Sequence, residues 1–353
     1  MSLPSPNINP LSFSREAMDP PPPKDPDTLQ REFEALLPLE ETCAGPIQEL
    51  PENAGDLFLV GDIHGDLIAL EGILLTIRRL AKPGTATLIC LGDLIDRGNA
   101  SLPCLLRFLK ERRDPFWKTP PVLLCGDHEN ALLWDERLQH FGACVTHATL
   151  AHQLNALPDF RTIGKALTHW LHLRPCALFD HKHGVILAHG GVPQQDLLEN
   201  LKTPEDLESP ECLRDFLWNR LTDARRKRPS RTVCGTEFGK ENLSEFCKKA
   251  SEFLPTEPRL LFCGHQHPFH GWQWISDDDG HGALCLHSTF QRPFIPDEEL
   301  IGAPCFARYS PESEDSPLQI YSYQAETLEI LTAEERLARR GIPWSAVAEE
   351  WHP

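Results

Sequence analysis

No apolar run among the 353 residues approaches the roughly 18 that a membrane-spanning helix needs. The first 27 residues have neither a basic start nor an apolar centre, which speaks against a secretory leader. Positive charge is scarce: 34 Lys and Arg face 52 Asp and Glu, giving a formal charge of −18. That balance argues against nucleic acid as the main partner. It does not argue against a phosphate ester held by metal ions, because ion charge dominates locally. The twelve cysteines are scattered and never form Cys-x-x-Cys. Several lie inside apolar strands (Cys90, Cys125, Cys263, Cys285), which reads as buried free thiols in a reducing, cytoplasmic compartment. There is no internal repeat.

What remains is globular: 41% hydrophobic and 24% charged, enough chain for one large domain or two ordinary ones. Residues 1–45 read as a flexible tail rich in Pro, Ser and Asn, with Pro20-Pro21-Pro22-Pro23 inside it. One short helix is expected there. Asp27-x-x-Gln30 reads as its capping box, Leu29, Phe33 and Leu36 share a face, and Pro38 stops it. Residues 46–331 form the expected catalytic domain. Strands at 57–60, 86–91 and 122–125 alternate with helices at 67–80, 102–112 and from 130 onward, a βαβαβ pattern. Residues 131–173 read as mainly helical, broken at Pro158. Strands at 177–179 and 185–188 flank a turn whose His181 and His183 face solvent. A helix near 243–253 precedes a strand at 260–263. Later strands at 283–287, 306–309 and 319–331 are expected to be mostly antiparallel. Residues 332–353 hold a last helix capped at Thr332 and a tail. The fold class is α/β (α+β): two packed mixed sheets flanked by helices.

Chemistry gathers at strand ends. Gly61-Asp62-Ile63-His64-Gly65, Gly92-Asp93-Leu94-Ile95-Asp96-Arg97-Gly98 and Gly126-Asp127-His128-Glu129 each follow an apolar strand. His189-Gly190-Gly191 and Gly264-His265-Gln266-His267 do the same. Ligands of layered folds sit at that edge of a sheet. So many acidic and imidazole groups resist shared burial unless something positive lies between them. Two divalent metal ions are the simplest answer, and mixed oxygen and imidazole donors suit Mn, Fe or Zn. Asp62 and His64 can grip one ion, since residues i and i+2 of an extended segment share a side. Asp93, on a neighbouring strand, is the natural bridge. Such ions sit roughly 3.5–4 Å apart and share a water or hydroxide nucleophile.

The five motifs, in this order, resemble the phosphoprotein phosphatase family of binuclear, calcineurin-like metallophosphoesterases, over about residues 56–290. Leu173-Arg174-Pro175 before two strands, and Trp218-Asn219-Arg220, are fainter likenesses to that family. The resemblance implies that Asp62 and His64 bind the first metal, that Asp93 bridges, and that Asp127, His189 and His265 bind the second. It implies that Arg97 clamps phosphate and that His128, oriented by Asp96, protonates the leaving oxygen. The implied reaction is in-line attack on a phosphomonoester of a phosphoprotein or phosphopeptide, with no phosphoenzyme. Manganese is the expected ion in vitro. No nucleic-acid or membrane partner is expected.

A second phosphate arginine is implied between the fourth and fifth motifs. Arg231 is the choice, because Phe238-Gly239 follows at about the family distance, with Arg220 and Arg228 as alternatives. The chain departs from the family at three places. Asp127 stands where the family has Asn, which should tighten metal binding and weaken the Lewis acid. Gly-His-Gln-His resembles the wider superfamily and adds His267 as a ligand of the first ion. Leu286-His287-Ser288-Thr289-Phe290 replaces a segment of the eukaryotic members, so the likeness is to bacterial-type members. Two other readings stay open: a symmetrical dinucleoside-tetraphosphate hydrolase, and a non-catalytic metal-binding scaffold that recruits phosphoproteins.

Overall fold

The computed structural model describes residues 7–13, 25–37, 45–51, 53–223, 228–229, 235–268, 271–289, 304–313 and 317–325. Two six-stranded mixed sheets stack face to face. The first runs Asn7–Phe13, Leu318–Ala325, Cys305–Tyr309, Asp56–Val60, Ala86–Cys90, Val122–Leu123. The second runs Trp272–Ser276, Gly282–Leu286, Leu260–Cys263, Val185–Ala188, Ala177–Asp180, Ile47–Glu49. Alternation explains the layering. Leu57 and Leu59 point between the sheets, while Phe58 and Val60 point at the helices. The second sheet repeats this: Leu260, Phe262, Leu284 and Leu286 face the centre, and Leu261, Cys263, Ala283 and Cys285 face helices. Strands buried on both faces read as unbroken apolar runs, which is why they were visible in the sequence.

Each central trio is parallel: Asp56–Val60, Ala86–Cys90 and Val122–Leu123 in one sheet, Val185–Ala188, Leu260–Cys263 and Gly282–Leu286 in the other. Their carboxyl ends therefore open at common edges. The expectation of mostly antiparallel late strands holds in part. Cys305–Tyr309 is antiparallel to both neighbours, and Trp272–Ser276 to Gly282–Leu286. Gly282–Leu286 itself lies parallel to Leu260–Cys263.

The spacing of helix Leu67–Leu80 predicts a stripe of Leu67, Leu70, Leu74 and Ile77; the last three are buried on the first sheet, Ile73 joins them, and Leu67 is half-buried against the same core. Helices Ser101–Glu111, Thr149–Asn155 and Phe160–His172 complete that layer. Pro210–Trp218 and Lys240–Ala250 cover the second sheet. The ten described cysteines are free, and all but Cys144 are buried. No described helix is long and apolar enough to cross a membrane.

Four expectations need correction. Within the expected tail, Asn7–Phe13 is a strand parallel to Leu318–Ala325, so backbone pairing across the chain overrides a composition that cannot build a core. The short helix Pro26–Leu36 is docked: Phe33 and Leu29 are buried in the first core. It is capped by Asp25, whose Oδ1 accepts from Thr28 N at 2.9 Å. Pro26 fits the first turn, where its missing N–H costs nothing. Gln30 does not close a box on Asp27, because its Oε1 accepts from Asp159 N at 2.7 Å.

In the stretch expected to be helical, Leu132–Asp135 and His140–Ala143 form a hairpin. Tertiary contacts decide it. Phe141 is buried against Trp134, and Asn155 bonds both its N and its O at 2.9 Å. His181 and His183 are half-buried rather than solvent-facing; His183 Nδ1 lies 2.6 Å from Asp180 Oδ2. The last helix, from Thr332, lies outside the described residues.

The docked helix yields a stability test. Phe33→Ala should cost about 3–5 kcal/mol, since it leaves a cavity under a buried ring. The urea midpoint should fall with the slope of the transition unchanged. An unmoved midpoint would mean that this helix contributes nothing to the core.

Candidate metal centre

The five motif loops meet where the two sheets adjoin. Asp62, just past the first central strand, pairs in a parallel bridge with His287, just past Gly282–Leu286. That bridge joins the sheets at their ligand-bearing edge. Ile63 N and His64 N both donate to Asp93 O, at 3.0 and 2.9 Å. Glu129, fully buried, accepts from Asp93 N at 2.8 Å, Leu94 N at 2.9 Å and Gly126 N at 3.0 Å. One carboxylate thus ties the second motif loop to the third.

The backbone is held in an uncommon shape. His64, Asp93, Asp96, Arg97 and His265 all have φ between 50° and 68°. Non-glycine residues persist there only when their surroundings over-determine them, and such residues gather at functional sites. Gly92 has no alternative: its φ is 97°, and an added Cβ would meet His189 Nδ1 at 2.6 Å.

Asp62, His64, Asp93, Asp127, His128, His189 and His265 are all buried. Six of them, with His267, form two groups spanned by Asp93, and His128 makes a third with His64 and Asp93. In the first, ligand atoms of Asp93, Asp127, His189 and His265 lie within 4.8 Å of one another. His189 Nε2 is 3.0 Å from Asp127 Oδ1 and 3.4 Å from Asp93 Oδ1. His265 Nδ1 is 2.9 Å from Asp127 Oδ1. The second group is Asp62, His64 and His267. His64 Nε2 is 3.6 Å from Asp62 Oδ2 and 3.6 Å from Asp93 Oδ2. One oxygen of Asp93 faces each group.

These donors fit divalent ions. Asp62 Oδ2 is buried and accepts no hydrogen bond, a costly state for a carboxylate without a cation. His64 Nδ1 donates to Ile95 O at 3.1 Å, and His189 Nδ1 donates to Leu91 O at 2.8 Å. Each ring thereby turns its Nε2 inward, as metal-ligating histidines do; burial opposes charge on His189, but Asp93 and the bond to Asp127 outweigh it and raise that imidazole well above its usual range, a proton a bound cation would displace. Burial raises Asp62 to about 6, and burial with the Asp127 charge raises Asp93 well above the carboxylate range. Burial also lowers His265 to about 4 and drives His64 low, so both stay neutral. Crowded carboxylates beside neutral imidazoles are what a cation site offers.

Three further groups face the centre. His128 Nδ1 is 3.0 Å from Asp96 Oδ2, and Asp96 Oδ1 accepts from Leu150 N at 2.8 Å. Burial opposes charge on His128, but Asp93 and the bond to Asp96 outweigh it and raise the imidazole to about 9. Arg97, half-buried, points Nη1 at His64 Nε2, 2.8 Å away, and at His267 Nε2. Arg220, also half-buried, lies in the field of Asp127, Asp93 and Asp62; burial lowers its pKa and those carboxylates oppose the shift. The loop carrying Arg220 is fixed by Gln266, whose Oε1 accepts from Leu221 N at 2.7 Å, and by Trp218, whose ring stands edge-on 5.7 Å from that of His265. Arg231 lies outside the described residues. Sequence reasoning gave no role to Glu129 or His287. The signal for Glu129 was its place in Gly-Asp-His-Glu, and for His287 its place at a strand end.

The model of the calcineurin-like phosphoesterase family matches residues 56–269. The chain is 29% identical over 153 residues to a symmetrical bis(5'-nucleosyl)-tetraphosphatase of Enterobacter sp. (strain 638), covering 43% of this chain and 49% of that protein. It is 30% identical over 156 residues to the protein of the same description from Klebsiella pneumoniae (strain 342), with the same shares covered. The chain therefore spans about half the length of the curated relatives it matches. A protein serine/threonine phosphatase from Saccharomyces cerevisiae, described as similar to human phosphatase PP5, superposes with a TM-score of 0.57. That likeness covers 84% of this chain and 88% of the other at 17% identity, and speaks to fold alone.

Asp127 gives a direct test of ligation. Asp127→Asn removes a charge but keeps an oxygen donor, so metal affinity should fall roughly tenfold, since ligand charge count tunes affinity. Isothermal titration with Mn²⁺ reads the change. Unaltered binding would remove Asp127 from the ligand set.

Proposed function

Because the chain belongs to the calcineurin-like phosphoesterase family, we propose that it is a divalent-metal-dependent phosphomonoester hydrolase acting on phosphoserine or phosphothreonine in proteins. The observation that carries this reading is Asp93. Its Oδ1 faces His189 and its Oδ2 faces His64, so this one carboxylate could serve ions held by either donor group. Asp62, His64 and His267 would hold the first ion; Asp127, His189 and His265 would hold the second. When bound, a pair of Mn, Fe or Zn ions supplies Lewis-acid polarisation of the phosphoryl oxygens and an activated water for in-line attack.

The chain's own residues bind, orient and move the proton. Arg97 and Arg220 place two guanidinium groups at the centre, suited to phosphate oxygens that gain charge as the transition state forms. Arg220 is the described candidate for the second phosphate arginine; Arg231, the choice from sequence, lies outside the described residues. His128 keeps its proton at neutral pH under the pull of Asp93 and Asp96. Asp96 holds the Nδ1 side of the ring, which leaves Nε2 to deliver a proton to the departing serine or threonine oxygen.

A second reading has its own observation. The curated relatives with 29–30% identity are described as symmetrical bis(5'-nucleosyl)-tetraphosphatases. The Asp96-Arg97-Gly98 and His128-Glu129 endings favour the phosphatase reading, because that hydrolase usually lacks them.

Metal-loaded protein offered para-nitrophenyl phosphate, a phosphopeptide and a dinucleoside tetraphosphate separates the readings. Turnover of the first two, lost on chelation and in Asp93→Asn, is expected. Turnover of the nucleotide alone would move the chain to the second reading. Bound metal with no turnover would leave a phosphoprotein scaffold. His128→Ala should slow phosphoserine hydrolysis about 10²–10⁴-fold and para-nitrophenyl phosphate far less, because nitrophenolate leaves without a proton. Equal losses would remove His128 as general acid.

A further inference from the structure

His287 stands beside the first group of donors, and none of the five motifs contains it. Its ring lies 4.2 Å from the ring of His267, centre to centre, in a T-shaped contact. Its Nε2 is 3.1 Å from His267 Nδ1. Its Nδ1 faces Asp62 Oδ2 at 4.0 Å.

Donor and acceptor roles along this row follow from its Arg97 end. Arg97 carries only donors. It bonds His267 Nε2, so that nitrogen accepts and the His267 proton sits on Nδ1. That proton is then donated to His287 Nε2, which must accept. The His287 proton is left on Nδ1, facing the Asp62 carboxylate. This fixes one tautomer for each ring, and the His267 Nε2 lone pair that accepts from Arg97 here is the one a cation beside His64 and Asp62 would take in exchange for that bond.

Rigidity runs in one direction along the row. His267 is half-buried on a loop. His287 is 2% exposed, and its backbone is held three times: by the bridge to Asp62, by its N donating to Gly271 O at 2.7 Å, and by its O accepting from Cys305 N at 3.3 Å. A well-anchored ring therefore braces a looser one. We propose that His287 is a positioning residue: it fixes the tautomer and orientation of His267 and thereby the affinity of the first ion site, without itself binding metal or substrate. This rests on the two-ion reading of the centre.

The test compares His287→Phe, which keeps the ring but loses the acceptor, with His287→Gln, whose amide oxygen reaches toward the place of Nε2. Mn²⁺ titration by calorimetry, with electron paramagnetic resonance to tell paired from isolated ions, supplies a readout independent of turnover. In the wild type two ions should bind and couple; failure there would sink the two-ion reading itself. His287→Phe should weaken one of the two sites 10–100-fold, the usual cost of losing a partner of a metal-bound histidine. The resonance should then show isolated Mn²⁺ at limiting metal, and His287→Gln should stay within about threefold of wild type. His267→Phe should reproduce the loss, and the double variant His267→Phe/His287→Phe should add nothing to it. Wild-type affinities in His287→Phe would overturn the proposal. So would additive losses in the double variant, which would make His287 act on its own. Should His287→Phe fail to fold, His287→Gln and His287→Leu carry the comparison: equal affinities in those two overturn it, and a weakened site in His287→Leu alone supports it.

Discussion

Three carboxylates and three imidazoles are buried together at the junction of the two sheets, and that burial is the constraint on which the rest depends. Taking an unpaired charge out of water costs several kcal/mol. Asp62, Asp93 and Asp127 lie at the ends of neighbouring strands, within reach of one another through His64, His189 and His265. Hydrogen bonds answer part of the demand: Asp62 Oδ1 accepts from His265 N, and Asp93 Oδ1 accepts from His128 N. They leave Asp62 Oδ2 with nothing to accept. The cluster makes sense as a binding site for cations and is costly as anything else.

The scaffold answers that constraint at each level. Four layers place the carboxyl ends of six parallel strands along two adjoining edges. Loops leaving those strands turn at once, through left-handed backbone at His64, Asp93, Asp96, Arg97 and His265. Those conformations are paid for by the cores beneath and by Glu129, which accepts three backbone N–H groups from two motif loops. The positions of the ligands are therefore set by backbone pinned on all sides, which is what a preorganised centre needs. Electrostatics then divides the labour. Neutral His64 and His265 suit ligation, while His128, raised by Asp93 and Asp96, suits proton delivery.

Where sequence and structure part, the cause is contact at long range. The central strands were legible because both faces are apolar, and the helix Leu67–Leu80 because its stripe repeats every three or four residues. The hairpin from Leu132 to Ala143 carries too short an alternation to announce itself, and it exists because Phe141 finds Trp134 and Asn155. The strand Asn7–Phe13 is recruited by the edge offered by Leu318–Ala325, more than 300 residues away in the chain. The first helix is capped by Asp25 rather than Asp27, and Gln30 bonds the distant Asp159 N instead of closing a local box.

The sequence alone named the Asp and His residues that the structure gathers at one place. Asp and His in short glycine-flanked strings, each behind an apolar strand, point to a shared cation site, because strand ends are where such side chains are presented; the phosphate roles of Arg97 and His128 came only from the family resemblance. Only the tertiary structure decided how those atoms are shared out. It gave Asp93 one oxygen for each donor group, brought Arg220 to the centre, and set His287 behind His267. Contacts such as that of Arg97 with His267, 170 positions apart, follow from the stacking of the two sheets, and no local pattern of residues encodes that stacking.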